Sequence, residues 1–223
     1  MPVPSSDILL TVMILSIPSR IENAISLMKK LEGQLGKRRS VEILVLTDNR
    51  SQSISEKRNV LLRAARGQFV CFLDDDDGVS NNYIDVLLKT ITENPDVDCI
   101  SFKQFCSLDG EPMNVDFGIG NPHGQLWRTE EGTLGDIKRP PYHMCLFKRE
   151  LAQSEEFRPM YAANGQSYGE DFDWLIRLYP KVQKEFHIDD HLHMYVYNSK
   201  TTTSLVPQGK RSEEHTSELQ SRQ

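Results

Sequence analysis

The sequence predicts an α/β fold built on a mostly parallel, Rossmann-like sheet with helices on both faces. Segments typical of buried strands alternate with amphipathic helical segments through residue 105, which is the pattern of a parallel α/β sheet. The first apolar run, residues 8–17, is nearly continuous rather than alternating, which indicates a strand buried on both faces. The 223 residues are enough for one large domain.

Composition and charge exclude several classes of protein. Hydrophobic residues make up 38% and charged residues 26% of the chain, as in ordinary globular proteins. The net charge of −6 and the lack of a basic stripe argue against a nucleic-acid partner. The first residues show no signal-peptide pattern, so we expect none, and no apolar run is long enough for an integral membrane segment. The four cysteines form no C-x-x-C pair. We therefore expect a cytoplasmic protein, with peripheral attachment to a membrane left open.

Apolar periodicity places the first four strands and the helices between them. Ser19, three residues before Glu22, predicts a capping box at the start of the first helix. Ser55 is the predicted start of the second helix. The strands predicted in this half are residues 8–17, 41–46, 69–73 and 97–105, and the helices are residues 21–35, 55–66 and 83–91.

The third strand runs into four consecutive aspartates, Asp74 to Asp77. Four carboxylates at the end of a buried strand repel one another, and a cation among them would relieve that repulsion. Hard cations such as Mg²⁺ and Mn²⁺ take oxygen ligands, often one or two carboxylates together with substrate phosphates. A solvated acidic turn is the alternative interpretation of the same residues.

Polar residues follow three of the predicted strands, namely Ser16, Asp48 and the four aspartates. Ligands of open α/β sheets bind outside the carboxyl ends of the strands. The sequence therefore predicts one shared crevice at this edge of the sheet.

The second half of the chain is less regular. Gly, Pro, Asn and Asp recur through residues 107–141, which predicts loops and a hairpin. Residues 142–147 are a predicted strand, and residues 186–197 are a predicted strand pair. Residues 211–223 have no apolar pattern and resemble the translation of a sequencing-adaptor oligonucleotide. We interpret them as a non-native tail and assign a single domain to residues 1–210.

An amphipathic helix with two acids in its first turn is predicted ahead of the last strands. Glu170 and Asp171 follow Gly169 at the start of this helix. Acids in this position suit the helix dipole, and capping alone would explain them. A carboxylate placed there also stays ionised at neutral pH, as a general base must.

Four motifs, taken in order, resemble those of the family 2 glycosyltransferases of GT-A fold, which use nucleotide-sugar donors. The acidic stretch resembles the D-x-D motif of that family, and Glu170-Asp171 resembles its E-D motif. The resemblance covers residues 8–205 and implies a nucleotide-binding half, residues 8–105, and an acceptor-binding half, residues 106–205. The four motifs are residues 14–20, 57–59, 72–77 and 169–174.

The resemblance implies roles in binding the donor. Ser16 and its neighbours would line the pocket for the nucleotide base, and Asp48 would accept a hydrogen bond from the base. Arg58 would reach the ribose or the diphosphate, while Asp74 and Asp75 would hold hydroxyls of the ribose or donor sugar. The substrate-binding residues implied in this way are Ser16, Pro18, Arg20, Asp48, Lys57, Arg58, Asn59, Asp74, Asp75 and His143.

The resemblance also implies a metal site and a catalytic base. Asp76, with Asp74, would bind the Mn²⁺ or Mg²⁺ that neutralises the leaving diphosphate as a Lewis acid, and the assignment within the four aspartates stays open by one position. Asp171, with Glu170 orienting it or the acceptor, would deprotonate the attacking hydroxyl in an inverting transfer. The implied acceptor is a glycan or a lipid-linked molecule, as in polysaccharide biosynthesis.

The sequence departs from the family pattern in two places. After the second strand the family has a D-D-G-S loop, whereas residues 47–50 are Thr-Asp-Asn-Arg. Many members carry a late histidine near the metal, and this chain has Asn198 there. His191 and His193 lie nearby, and we interpret both as ordinary polar positions on a strand.

Two other functions stay open at the level of sequence. A nucleotidyltransferase also combines an α/β sheet with metal-binding aspartates, but residues 16–20 contain no glycine for its phosphate loop. A catalytically silent module that binds nucleotide sugars would keep the same fold, and the retention of both acidic motifs argues against it.

Overall fold

The computed structural model describes residues 7–122, 135–161 and 169–197, so the predicted tail at 211–223 and Asn198 lie outside the described residues. The strands are β1 (Leu10–Ser16), β2 (Val41–Thr47), β3 (Phe69–Asp74), β4 (Gly78–Val79), β5 (Cys99–Leu108), β6 (Glu111–Phe117), β7 (Ile137–Arg139), β8 (Leu146–Lys148) and β9 (Glu185–Tyr197). The α-helices are α1 (Ile21–Leu35), α2 (Ile54–Ala64), α3 (Tyr83–Glu93), α4 (Arg149–Ala152) and α5 (Glu170–Leu178). None of the helices in the described ranges is long and apolar enough to cross a membrane.

One side of the sheet is parallel. β1 lies between β2 and β3 and pairs with both in parallel. The chain passes from β1 to β2 and then back across β1 to β3, so right-handed crossovers place α1 and α2 on opposite faces of the sheet. The predicted mostly parallel α/β sheet with helices on both faces is confirmed.

The other side of the sheet is mixed. β8 pairs antiparallel with both β3 and β5. β5 and β6 form an antiparallel hairpin around Asp109 and Gly110, which both have positive φ, as tight hairpin turns require. This is the hairpin predicted for the irregular half. β9 runs parallel to β5 and antiparallel to the short β4, which brings the end of the described chain back to the acidic stretch.

Two predicted strands differ from the structure. The strand pair predicted over residues 186–197 is wrong, because Glu185–Tyr197 forms one strand along β5, with its pairing register shifted on either side of Lys103. The strand predicted over residues 142–147 is also wrong in extent. Cys145 N donates to the Tyr142 carbonyl at 2.8 Å and closes a turn, so pairing begins only at β8.

The predicted capping box is wrong as well. Ser19 lies inside a 3₁₀ turn, Pro18–Arg20, and α1 follows with no side-chain cap. An N-cap residue needs extended backbone dihedrals, which a residue within a helical turn cannot adopt. The capping box of this region belongs to Ser53 and Glu56 at the start of α2, two residues ahead of the predicted start.

An aromatic cluster fixes α5 against the sheet. The ring of Trp174 stacks on Phe157 with centroids 4.6 Å apart and meets the edge of Phe147 at 5.6 Å. Trp174 Nε1 also donates to the Glu155 carbonyl at 2.9 Å, so its one polar atom is satisfied in the core. This packing holds the first turn of α5 beside the ends of β1 and β3.

Candidate active site

Polar side chains from β1, β2 and β3 meet where these strands end. Ser16 Oγ donates a hydrogen bond to Asp75 Oδ2 at 2.7 Å. Lys57 Nζ, from α2, lies 2.8 Å from Asp48 Oδ1 and donates to the Ser16 carbonyl at 3.4 Å. The structure therefore brings the polar residues of the three predicted strand ends together, and Lys57 links those of β1 and β2.

Asp48 is held in its ionised form by Lys57 and by its own loop. Its Oδ2 accepts hydrogen bonds from Ser51 Oγ at 3.1 Å and from Gln52 N at 2.9 Å. These bonds, together with the stronger one from Lys57, hold the pKa of the Asp48 carboxyl well below its ordinary value. Asp48 is therefore a hydrogen-bond acceptor throughout the neutral pH range, which suits the base contact implied for it.

The four aspartates divide into two buried and two open side chains. Asp75 is 3% exposed and pairs with Ser16 and Arg20, and the Asp77 side chain is 4% exposed. Asp74 and Asp76 keep 45% and 43% of their side-chain surface exposed. Burial raises the pKa of both Asp75 and Asp76, with Arg20 opposing the shift. Asp74 and Asp76 are therefore the two carboxylates that stay open to solvent, whereas the implied contact of Asp75 with a sugar hydroxyl does not fit its internal pairing.

Asp77 contacts His193 on β9, and the sequence did not indicate this contact. His193 Nε2 lies 3.0 Å from Asp77 Oδ2, and its Nδ1 lies 2.7 Å from Gln104 Nε2. The same Asp77 oxygen accepts from Asp74 N at 2.9 Å. Burial opposes ionisation of Asp77, but the charge and hydrogen bond of His193 outweigh it and lower the pKa. His193 is fully buried, so it contacts the acidic turn from the interior of the protein.

The residues present fit a divalent cation that is shared with a substrate. Within the described residues, no group of three or more His, Cys, Asp or Glu side chains is arranged to hold a metal ion. Asp74 and Asp76 nevertheless offer carboxylate oxygens on the open side of the turn. Mg²⁺ and Mn²⁺ typically take one or two carboxylates and complete their coordination with substrate phosphates and water. The donor set therefore suits an ion bridging to a diphosphate and does not suit a closed protein cage.

Arg58 is buried at the centre of the site. Its guanidinium packs against the rings of both Phe72 and Phe157, 5.0 and 5.5 Å from their centroids. Its nitrogens lie 3.6 Å from Asp74 Oδ1 and 3.6 Å from Glu170 Oε1. With 4% of its side chain exposed, Arg58 links the acidic turn to α5 from within. The aromatic pair around it had no signal in the sequence, because Phe157 comes from an irregular segment.

Asn59, the residue after Arg58, uses its side chain to hold the backbone of Phe157. Asn59 Nδ2 donates to the Phe157 carbonyl and Asn59 Oδ1 accepts from Phe157 N, both at 2.8 Å. This pairing holds the aromatic side of the Arg58 pocket and leaves the side chain engaged with backbone rather than with a ligand. Of the predicted Lys57-Arg58-Asn59 motif, the first two residues therefore line the crevice and the third supports it.

The 3₁₀ turn Pro18–Arg20 carries Arg20 across the acidic turn. Arg20 Nη2 contacts both Asp75 Oδ1 and Asp76 Oδ1. Pro18 begins this turn and has no N–H to leave unpaired, as expected of a proline at a helix start. The predicted binding segment after β1 is therefore part of the site.

The two acids at the start of α5 have different surroundings. Asp171 Oδ2 lies 3.3 Å from His143 Nδ1, and Glu170 is buried beside Arg58. Burial opposes ionisation of Asp171, but the hydrogen bond and charge of His143 lower its pKa well below the ordinary value. Burial raises the pKa of Glu170, with Arg58 opposing. Asp171 is thus the ionised carboxylate of the two.

His143 joins the two acidic motifs. Its Nε2 lies 3.5 Å from an Arg58 nitrogen and 3.9 Å from Asp74 Oδ2, while its Nδ1 faces Asp171. The side chain is buried. His143 was predicted as a substrate contact, and the structure places it between the acidic turn and the predicted base.

Two known proteins with similar sequences are named as glycosyltransferases. The chain spans 52% of a glycosyltransferase named GlyG from Streptococcus pneumoniae serotype 4, with 25% identity over 165 residues that cover 69% of this chain. It spans 24% of an uncharacterized glycosyltransferase from Haemophilus influenzae, with 31% identity over 72 residues that cover 32% of this chain. The chain therefore covers about half or less of the length of these relatives.

Solved structures show the same fold at low sequence identity. The crystal structure of S. aureus TarS residues 1–349 in complex with UDP-GlcNAc matches with a TM-score of 0.55 and 14% identity, over 86% of this chain and 59% of that one. A second TarS crystal structure matches with a TM-score of 0.57 and 15% identity, over 85% of this chain and 37% of that one. The sequence also matches glycosyl transferase family 2 over residues 26–154. This match covers more than half of the chain, and the chain belongs to glycosyl transferase family 2.

Proposed function

We propose that this chain moves a sugar from a nucleotide-diphosphate donor, a UDP- or GDP-sugar, to an acceptor hydroxyl, with inversion and with Mn²⁺ or Mg²⁺. The observation that carries the proposal is the position of His143, whose two ring nitrogens lie 3.9 Å from the open carboxylate of Asp74 and 3.3 Å from that of Asp171. One crevice therefore offers both a place for a leaving diphosphate and a carboxylate base. The binding of UDP-GlcNAc by the structurally similar TarS supports a nucleotide sugar as the donor.

The donor would lie across the ends of β1, β2 and β3. Asp48, held ionised by Lys57, would accept a hydrogen bond from the nucleotide base, and Ser16 would form the wall of that pocket. Asp76 and Asp74 would hold the cation, which when bound supplies Lewis-acid neutralisation of the diphosphate. The buried side chains of Asp75 and Asp77 would keep the acidic turn in the shape that presents the other two.

The acceptor would approach from the side of α5. Asp171 takes the proton of the acceptor hydroxyl while the oxygen of that hydroxyl forms a bond to the anomeric carbon of the donor sugar. The bond from that carbon to the diphosphate oxygen breaks at the same time, and its electron pair leaves with the nucleotide diphosphate. Attack opposite the leaving group inverts the anomeric centre. His143 holds Asp171 in orientation at 3.3 Å, and a glycan or lipid-linked molecule is the proposed acceptor.

Donor hydrolysis tests this function without knowledge of the acceptor, because water can replace it. The chain is incubated with UDP- and GDP-sugars and Mn²⁺, and released UDP or GDP is separated by chromatography. We expect UDP or GDP to be released from one donor class, and this release to be lost in EDTA and strongly reduced in Asp76→Ala. Asp85→Ala, which removes an exposed aspartate elsewhere, is the matched control and should release the nucleotide like wild type. Donor binding by calorimetry without any release, even with candidate acceptors, would instead identify a catalytically silent module.

A further inference from the structure

Arg20 occupies the open side of the acidic turn. Its Nη2 lies 2.5 Å from Asp76 Oδ1 and also contacts Asp75 Oδ1, while one third of its side chain stays exposed. The 3₁₀ turn that carries Arg20 begins directly after β1, so the guanidinium reaches the aspartates from a neighbouring strand. The proximity of Asp76 and Asp75 raises the pKa of Arg20 against the opposing effect of burial, and the charge is permanent.

The two aspartates that Arg20 contacts differ in how firmly they are held. Asp75 is buried and also receives the Ser16 hydroxyl at 2.7 Å. Asp76 is 43% exposed, and Arg20 is its only ion-pair partner among the described residues. The Arg20–Asp76 contact is therefore the one that an incoming ion can replace without uncovering a buried charge.

We propose that Arg20 is a mobile counter-ion, which competes with the divalent cation for Asp76 and moves onto the donor diphosphate when donor and cation arrive together. This inference rests on the proposed nucleotide-diphosphate donor. A divalent cation beside Asp76 would lie next to the positive guanidinium, and two cations sharing one carboxylate weaken each other's binding. A diphosphate changes this balance, because its oxygens accept paired hydrogen bonds from a guanidinium.

This movement of Arg20 from Asp76 to the diphosphate couples the binding of the cation to the binding of the diphosphate. In the free protein Arg20 neutralises Asp76, so the cation alone binds weakly. Once a diphosphate is present, Arg20 has a second anionic partner and Asp76 is released to the cation. By linkage, the factor by which the diphosphate tightens cation binding equals the factor by which the cation tightens diphosphate binding. Arg20 is therefore a positioning residue that sets the size of this factor.

The test measures both ligands separately in wild type and in Arg20→Gln. Mn²⁺ binding is followed by the electron paramagnetic resonance signal of the free ion, and UDP and GDP binding by calorimetry at saturating Mn²⁺. We expect Arg20→Gln to bind Mn²⁺ alone about tenfold more tightly and the nucleotide about tenfold more weakly, within the usual range of coupling between sites. Arg38→Gln removes the same charge from an exposed ion pair with Asp85 and should leave both affinities within about twofold.

A second variant separates charge from geometry and also serves if Arg20→Gln does not fold. Arg20→Lys keeps a positive charge beside Asp76 but loses the planar fork that grips a diphosphate. It should therefore bind Mn²⁺ like wild type and bind the nucleotide more weakly.

Opposite results overturn the role of Arg20. If wild type binds UDP or GDP with Mn²⁺ while both Arg20 variants match it for both ligands, Arg20 has no part in the exchange and the proposed function stands. A Mn²⁺ affinity that falls in Arg20→Gln also contradicts competition for Asp76. If wild type binds neither UDP nor GDP, the proposed donor is wrong, and the proposed role of Arg20 is wrong as well.

Discussion

At the residue scale, chemically equivalent acids acquire different properties from their neighbours. Asp74 and Asp76 are open, whereas Asp75 is buried against Ser16 and Arg20. Glu170 and Asp171 are adjacent in sequence, yet burial raises the pKa of the first while His143 lowers that of the second. Such a separation of two carboxyls by environment is how acid and base roles are assigned in active sites.

The first prediction concerns Asp171. Replacing it with Asn keeps the shape of the side chain but removes the proton acceptor, so transfer should fall by about 10²- to 10⁴-fold while donor binding is retained. Sugar transfer to the true acceptor is measured by chromatography, and donor affinity by calorimetry.

Asp173 supplies the matched control on the same helix. Its carboxylate pairs with Arg177 at 2.7 Å, on the side of α5 that contacts Glu155. Asp173→Asn should therefore lower the melting temperature modestly and leave transfer close to wild type. An inactive Asp173→Asn, or an Asp171→Asn that transfers normally, would show that the base is assigned to the wrong acid.

At the element scale, each secondary-structure element is shaped by contacts at its ends. The capping box at Ser53 and Glu56 was missed because the local pattern favoured Ser55, whose hydroxyl in fact donates to the Arg158 carbonyl at 3.0 Å. The box expected at Ser19 fails because Pro18 starts a 3₁₀ turn that includes it. The local sequence therefore predicts approximately where a helix begins, and the backbone dihedrals determine which residue is the N-cap.

The second prediction compares these two serines. Ser53→Ala removes the acceptor for Glu56 N and should lower the free energy of unfolding by about 1 kcal/mol. Ser19→Ala removes no cap and should change it by less than about 0.5 kcal/mol. Urea denaturation monitored by circular dichroism measures both variants, and an equal loss from the two would contradict the assigned cap.

The third prediction concerns the link between β9 and the acidic turn. His193→Ala would leave the buried Asp77 carboxylate without its partner, which typically costs about 3–5 kcal/mol of folding free energy. His191 lies on the same strand but is exposed, so His191→Ala should stay within about 0.5 kcal/mol of wild type. Denaturant unfolding distinguishes the two variants, and equal stability would show that the Asp77–His193 pair contributes little.

The stability gap for His193→Ala should also depend on pH. The folded-state pKa of Asp77 is lowered by His193, so the pair contributes fully above the ordinary pKa of about 4. Its contribution is lost as the pH falls through the lowered folded value. The gap between wild type and variant should narrow as the pH falls below about 4, the ordinary pKa of an aspartate, whereas a gap that widens in acid would contradict the assigned sign.

At the scale of the whole molecule, the crevice depends on elements that are distant in sequence. Asp77 near β3 meets His193 on β9, and Arg58 on α2 meets Glu170 on α5. The aromatic cluster at Trp174 holds α5 in place for the second contact. The site is therefore a product of the assembled sheet and helices rather than of any one motif.

The fourth prediction concerns the chain as a whole. Residues 211–223 carry no apolar periodicity, so we expect them not to contribute to the stability of the core. Truncation after Lys210 should leave the melting temperature, measured by differential scanning calorimetry, within experimental error. A fall of several degrees would contradict the interpretation of this segment as a non-native tail.

The sequence by itself determined the α/β class and the edge of the sheet that carries the site. Apolar runs such as β1 and the acids that follow β3 are local patterns, and local patterns predict strands and their ends. Only the tertiary structure decided which aspartates face outward, because Ser16, Arg20 and His193 reach the acidic turn from other strands and bury two of the four. The same holds for Asp171, since the histidine that keeps it ionised comes from a turn before β8. Partner choice depends on register and packing between distant segments, which no local pattern encodes.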